Sequence, residues 1–286
     1  MTAVPVERWD VFARVPGGGN PCYLVRAGGD DAVEIARLAA RRHGAEAAVV
    51  GVEDDAIALR FFAPGGEMAM CGHATIAAVT ALGAAGELTG NQTVARTEAG
   101  DYPVSWDDGT PPLVSIDHLD PRIGPPVAST AEVAAALGVP AGRLATGDPR
   151  VVSIARAKLL VPVVDAEAVH AARPDPDRLA ELCRAVGATG AYVFAPHPDG
   201  RPEHLVARQF PVDAGMAEDP ATGVAAGALA AYLAAADGWS AVEVDQGDAM
   251  GRPSLLHARA FAADGAVSRV QVAGRAQLIG REQLQL

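Results

Sequence analysis

A chain of 286 residues suffices for one large domain or two of roughly 140, and with 50% hydrophobic but only 5% aromatic residues its core must be built from small aliphatic side chains. The formal net charge of −12 and the scattered arginines exclude a basic phosphate-binding stripe, so nucleic acid is not an expected partner. Cys22, Cys71 and Cys183 are too widely spaced for a disulfide framework or a zinc ribbon.

Residues 1–9 lack the charged and apolar regions of a secretory leader. The alanine-rich runs near 74–86 and 224–236 are shorter than the about 20 apolar residues that span a bilayer. A soluble cytoplasmic protein with no membrane partner is expected. Strands are expected over Trp9–Arg14 and Cys22–Arg26, joined by Pro16-Gly17-Gly18-Gly19-Asn20-Pro21, whose composition is turn chemistry. Asp30 or Asp31 should cap a helix over Val33–Arg42 that stops near Gly44. Glu46 then stands at the start of the apolar strand Ala45–Val50, where an unpaired carboxylate is costly. A strand over Ile57–Phe62 leads through Pro64-Gly65-Gly66 to Cys71-Gly72-His73, which opens an alanine-rich helix over 74–85. Strands at Gln92–Arg96, Tyr102–Trp106 and Leu113–Ile116 follow as a meander.

Three prolines in residues 119–129 mark a linker, dividing the chain into domains of residues 1–118 and 119–286, the last strands of the second being free to return to the first. Ser129 or Thr130 should cap a helix to Leu137, with Gly138 as its stop. A strand pair within Val151–Val164 and a helix capped near Asp175–Asp177 and running to Val186 come next. Strands Ala191–Ala195 and His204–Phe210, a second alanine-rich helix at 224–235, and strands at 241–245, 255–262 and 267–274 complete the chain.

The second half echoes the first at an offset of 148 residues: Arg60 meets Arg208, Phe62 meets Phe210, and Met68 meets Met216. Phenylalanine and methionine are rare in this chain, so these matches indicate an internal duplication. In that register Ile76 falls opposite Val224, and Cys71 opposite Asp219. Two similar domains would face one another across a cleft, the starts of their central helices turned toward it. Helix starts carry unpartnered N–H groups and partial positive charge, so they would hold a carboxylate and stabilise negative charge developing beside it. Such a cleft suits removal of a proton alpha to a carboxylate and its delivery elsewhere.

Four separated segments carry a family resemblance. They are Glu46 before an apolar strand, Cys71-Gly72-His73-Ala74-Thr75, Glu218-Asp219-Pro220-Ala221-Thr222-Gly223, and Gln246-Gly247 with Met250-Gly251-Arg252-Pro253-Ser254. Together they resemble the phenazine-biosynthesis PhzF family of the diaminopimelate epimerase-like fold, from Asp10-Val11-Phe12 to the last strands. The resemblance implies an α+β fold of two pseudo-symmetric domains, each a curved, mostly antiparallel sheet around a central helix. It also implies a homodimer, no cofactor or metal, and an isomerase that shifts a proton on a small carboxylate. The family's namesake isomerises trans-2,3-dihydro-3-hydroxyanthranilate.

Carried over by position, Glu46 would be the acid/base that lifts and returns the proton. His73 would hydrogen-bond the substrate or tune Glu46. Asp219 would be a further polar site residue, and it is also a good helix cap. Asn20 would donate to the substrate carboxylate or serve only its turn. Gly72, Thr222 and Gly223 would present backbone N–H groups to the ligand, while Cys71 reads as a small buried hydrophobe.

One position departs from the family pattern, Asp-Pro-Ala-Thr-Gly-Ser: Val224 replaces the serine and removes a hydroxyl. It favours either a divergent substrate or a non-isomerase member that binds a small carboxylate or catalyses another biosynthetic step. A two-thiol racemase is the other alternative, but no cysteine lies near Asp219 to partner Cys71.

Overall fold

A computed structural model describes residues 3–26, 29–127, 129–212 and 216–286. Met1 and Thr2 of the expected leaderless start, Ala128 of the expected linker, and part of the turn after Phe210 lie outside the described residues. The chain gathers into two units, one of Met1–Asp117 with Ala273–Leu286 and one of His118–Val272. Among the described residues no helix is long and apolar enough to cross a membrane.

The first unit is a mixed sheet. β1 (Val4–Val11) pairs antiparallel with β2 (Asn20–Val25), and β2 pairs parallel with β3 (Glu46–Glu53) across the helix α1 (Asp30–His43). β3 turns back into β4 (Ala56–Ala63), which meets the short β5 (Gly66–Met68). A second parallel crossover, through α2 (Gly72–Ala84), returns to β6 (Gln92–Thr97), and β7 (Gly100–Trp106) and β8 (Val114–Leu119) continue as a meander. The last strand of the chain, β17 (Ala276–Leu284), lies antiparallel to β1.

α1 and α2 occupy different environments, and their sequences say why. α1 is amphipathic and lays Ile35, Ala36, Ala39 and Ala40 on one face of the sheet, against Tyr23, Val25 and Ala47. α2 is apolar on every side, and its residues Ala74–Leu82 are buried, the pattern of a helix enclosed by its sheet. Asp30 and Asp31 are not the cap of α1: Gly29 holds that position, and both aspartates lie in the first turn, where negative charge suits the helix dipole. Gly44, in the left-handed conformation, ends α1 as expected.

The second unit repeats this path. β9 (Arg122–Pro126) pairs with β10 (Arg150–Ser153), and β10 pairs antiparallel with β11 (Lys158–Pro162). Residues 119–129 are therefore not a plain linker, because a strand with two prolines fits a ladder whose register shifts beside Arg150. α3 (Thr130–Leu137), capped by Ser129, lies between β9 and β10.

β11 and β12 (Gly190–Pro196) are parallel, connected through α4 (Ala166–Ala171) and α5 (Pro176–Val186), which are capped by Asp165 and Asp175. β13 (His204–Pro211) is antiparallel to β12 and parallel to β14 (Ala241–Gln246), connected through α6 (Gly223–Asp237). β15 (Ser254–Ala263) pairs with β14, and β16 (Ala266–Gly274) follows. α3, α4 and α5 cover one face through Val133, Val169 and Leu182; α6, apolar on all sides, is buried against the other, where Tyr232 meets Phe194 edge-on at 5.9 Å.

Both units thus share one order of elements and one pattern of parallel and antiparallel pairs. The duplicated arginines keep their stations: Arg60 lies over the Phe62 ring and pairs with Glu67, and Arg208 lies over Phe210 and pairs with Glu218. The register at the helices differs from the offset of 148. Cys71 and Thr222 both cap their helices with extended backbone, so Cys71 corresponds to Thr222, not Asp219, and His73 to Val224. The connection from Phe210 to Thr222 is longer than that from Phe62 to Cys71, and the extra residues shift the register.

Candidate active site

In the first unit, β2 and β3 bring Cys22 opposite Glu46. Tyr23 and Ala47 belong to the cluster under α1, so Cys22 and Glu46 point to the other face, where α2 packs. His73, the second residue of α2, brings Nε2 to 3.6 Å from Glu46 Oε2, with the side chains 11% and 21% exposed respectively. Cys71 Sγ lies against the same ring, 3.4 Å from Nδ1 and 3.8 Å from Nε2. The pair is therefore shielded yet reachable, as an acid/base group needs to be. Behind it the buried Cys22 thiol is pushed well above its ordinary value, first by burial and then by the charges of Cys71, Glu46 and Asp10. Cys22 is thus a neutral floor to the site rather than a nucleophile.

Asn20 begins β2, buried, two residues before Cys22 and opposite Val11. Its place depends on Gly19, whose φ of +74° is in the left-handed region; a Cβ there would strike the Val11 carbonyl and lie 2.8 Å from the Ala13 nitrogen.

The start of α2 has no side-chain cap and no acidic residue in its first turn, and α6 shares both properties. α3, α4 and α5 are each capped by a side-chain oxygen and carry an acid there. Neither central helix is closed by an N-cap side chain, so no capping oxygen offsets the positive end of either dipole. At Gly72 nothing lies within 4 Å of where a Cβ would stand, so packing within the protein does not demand this glycine.

In the second unit the hydroxyl of Thr222 donates to Asp219 Oδ2 at 2.6 Å, and Asp219 Oδ1 accepts from the Ala221 nitrogen at 3.3 Å. Gln246, at the end of β14, joins the group: its Nε2 donates to the Asp219 carbonyl at 2.7 Å and to Thr222 Oγ1 at 3.1 Å. Its Oε1 accepts from the Tyr192 hydroxyl at 3.0 Å and the Thr222 nitrogen at 3.3 Å. Thr222 is bound to its neighbours in this way and leaves the helix uncapped, with Gly223 and Val224 following.

Glu46 and His73 thus come together in one unit, and Asp219, Thr222 and Gly223 in the other. Gln246 and Tyr192 were not among the expected site residues. The Gln-Gly pair directly after a strand was the available signal for Gln246: Gly247 turns with φ of +85°, and a Cβ there would crowd the carbonyls of Pro220 and Arg252. Tyr192, within an apolar strand, gave none.

Comparison with known proteins places the chain in a family and a fold. The family model described as phenazine biosynthesis-like protein, PhzC-PhzF, matches residues 9–281. An uncharacterized isomerase of Deinococcus radiodurans is 32% identical over 278 residues, covering 92% of this chain and 89% of its own. The trans-2,3-dihydro-3-hydroxyanthranilate isomerase of Pseudomonas aeruginosa is 30% identical over 273 residues and 93% of each chain. A PhzF-family phenazine biosynthesis protein of Bacillus anthracis, known as a crystal structure, superposes over 100% of both chains with a TM-score of 0.89 at 24% identity. Matched over nearly its whole length, and with one topology run twice around two buried helices, the chain belongs to the phenazine biosynthesis-like (PhzF) family of isomerases, with the diaminopimelate epimerase-like fold.

Proposed function

We propose that this isomerase moves a proton on a small, unsaturated, carboxylate-bearing substrate, with Glu46 as the acid/base. The observation that carries the proposal is the Glu46–His73 pair, 3.6 Å apart at the uncapped start of α2. The Glu46 carboxylate takes a proton from a carbon made acidic by conjugation with the substrate carboxylate. The electron pair spreads toward that carboxylate, where the Gly72 and His73 N–H groups and the helix dipole meet the developing charge. Protonated Glu46, partly exposed and so able to exchange its proton with solvent, then delivers a proton to another carbon of the same conjugated system. His73 orients Glu46 and is itself positioned by Cys71. Asn20, fixed by its turn, donates to the substrate.

The start of α6 offers a second set of N–H groups beginning at Gly223, with Thr222 held in place by its own N–H to Gln246 and by its hydroxyl to Asp219. Val224 follows where α2 has His73, so this helix start supplies no imidazole. The same residue favours a second reading, in which the protein binds a carboxylate without turning it over. A two-thiol racemisation lacks support, because the counterpart of Cys71 is the hydroxyl of Thr222.

The substrate of the Pseudomonas aeruginosa relative, trans-2,3-dihydro-3-hydroxyanthranilate, is the first compound to test, followed by other cyclic unsaturated carboxylates. Wild type should turn over at least one of them, and Glu46→Gln should lose about 10²–10⁴-fold in kcat. Tight binding without turnover in the wild type would establish the second reading; full activity in Glu46→Gln would remove Glu46 from the mechanism.

A further inference from the structure

The duplication that relates the two units breaks at one buried position. In the first unit Ala47 pairs with Phe62 and Ala48 with Phe61 across β3 and β4. In the second, Ala191 pairs with Phe210 and Tyr192 with Gln209 across β12 and β13. Gln209 therefore holds the station of Phe61, which is 1% exposed, so an amide stands where the first unit packs an apolar ring. Gln209 is itself fully buried, and among the described residues neither its Nε2 nor its Oε1 has a hydrogen-bond partner. A buried amide of this kind loses its hydration without gaining a hydrogen bond, so on its own it destabilises the fold.

The same strand pairing says where the amide lies. Glu46 precedes Ala47 at the head of β3, and Gly190 precedes Ala191 at the head of β12. Gly190 thus has the station of the proposed acid/base and no side chain to place there. Gln209 fills that space: a Cβ on Gly190 would stand 2.7 Å from Gln209 Nε2. Arg208 reaches the Ala172 carbonyl just past α4, and Phe210 packs in the cluster under α4 and α5, so Gln209 between them faces the α6 side. Its own carbonyl accepts the Asp219 N–H at 3.1 Å, which ties the segment leading into α6 to β13. The corner that Glu46 makes with His73 at the start of α2 is therefore made by the Gln209 amide at the start of α6. Gly223 and Val224 are only part-buried there, which leaves that helix start accessible to a small molecule.

We propose that Gln209 is a specificity-determining residue at the start of α6, binding a neutral substituent of the carboxylate ligand that both donates and accepts a hydrogen bond, a hydroxyl foremost. The inference rests on the reading that a small carboxylate binds at the helix starts. A carboxylate facing the amide would satisfy Nε2 and leave Oε1 unpaired, and an ammonium would do the reverse. A hydroxyl accepts from Nε2 and donates to Oε1. Because no hydrogen bond holds the side chain among the described residues, none has to break for the amide to turn toward such a ligand. Val224 brings no hydroxyl of its own to the first turn of α6, so the amide is what this corner offers a polar substituent.

The test is equilibrium dialysis of benzoate and its ortho-, meta- and para-hydroxy derivatives, read beside urea denaturation. Wild type should bind benzoate, and at least one hydroxy derivative about tenfold or more tightly. Gln209→Met has similar length and no polar atoms to leave unpaired. It should keep the benzoate affinity, lose the preference for the hydroxy derivative, and unfold at a higher urea concentration than wild type. An amide with a purely structural role would shift the urea midpoint the other way. Binding of none of the four compounds by wild type would remove the carboxylate reading and this inference with it. Equal binding of all four, a preference kept by Gln209→Met, or a lower urea midpoint or failure to fold in that variant would overturn the role of Gln209 alone. Dialysis reads binding only, so none of these outcomes depends on Glu46 moving a proton.

Discussion

At the scale of single residues, the site depends on what surrounds each group. Glu46 was conspicuous in the sequence as an acid at the head of an apolar strand, and so was the Cys-Gly-His helix start. Their meeting was implied by the family resemblance alone and not legible in the residues themselves, because 26 intervening residues and two antiparallel turn-backs, β3 into β4 and β4 into β5, separate them. Gly72 has open space where a Cβ would stand. Gly72→Ala should therefore keep the melting temperature while raising KM about tenfold or more, as the methyl group displaces a ligand from the helix start. An unchanged KM would show that no ligand approaches there.

Cys22 adds a pH signature. Its folded value is raised above the ordinary 9.0, so the folded state keeps a proton that an unfolded chain releases. The stability from this group is fully present below that value and declines as pH rises through and beyond it. Urea midpoints measured on either side of about pH 9 should fall with pH in the wild type and fall less in Cys22→Ala.

At the scale of elements, helix caps and glycine stops were the most legible features. Ser129 and Asp175 cap their helices through their own oxygens, and Gly44 and Gly138 end theirs in the left-handed conformation. The short α4, six residues capped by Asp165, was missed because so brief a helix has no periodicity to show. β17 was missed because its alternate residues are charged or polar along a half-exposed strand. β9 was hidden by prolines that the irregular β9–β10 ladder tolerates.

The register of the second helix start was misplaced because loop lengths do not appear in a residue-by-residue match. The hydrogen bonding there centres on Gln246, which bonds Tyr192, Thr222 and the Asp219 carbonyl at once. Gln246→Ala should cost about 2–3 kcal/mol in chemical denaturation, since buried groups lose partners on both of its amide atoms. It should also lower kcat by loosening Thr222 and Asp219. Gln246→Glu, which sets a buried carboxylate oxygen against the Asp219 carbonyl in place of the donating amide, should not recover that stability at neutral pH.

At the scale of the molecule, one topology is used twice, and the chain's last strand is structurally part of its first unit. β17 pairs with β1 from Val4–Leu284 to Val11–Ala276, and Leu284 is buried in the cluster under α1. Deleting residues 276–286 should leave β1 with an open edge and lower the hydrogen-exchange protection of β1 and β2, while β12 and β13 keep theirs. Equal loss in both sets would contradict the division into two units.

The duplication was visible in Arg60/Arg208 and Phe62/Phe210, whose cation–ring stations survive, because a strand pairing with fixed geometry keeps its spacing. The central claim is that Glu46 carries the proton. Its most direct measurement is mass analysis of recovered substrate and product after incubation in D₂O. Wild type should introduce one deuterium from solvent at the carbon that receives the proton, and Glu46→Gln should introduce none while still binding substrate; deuterium incorporation at the wild-type rate by Glu46→Gln would contradict the account.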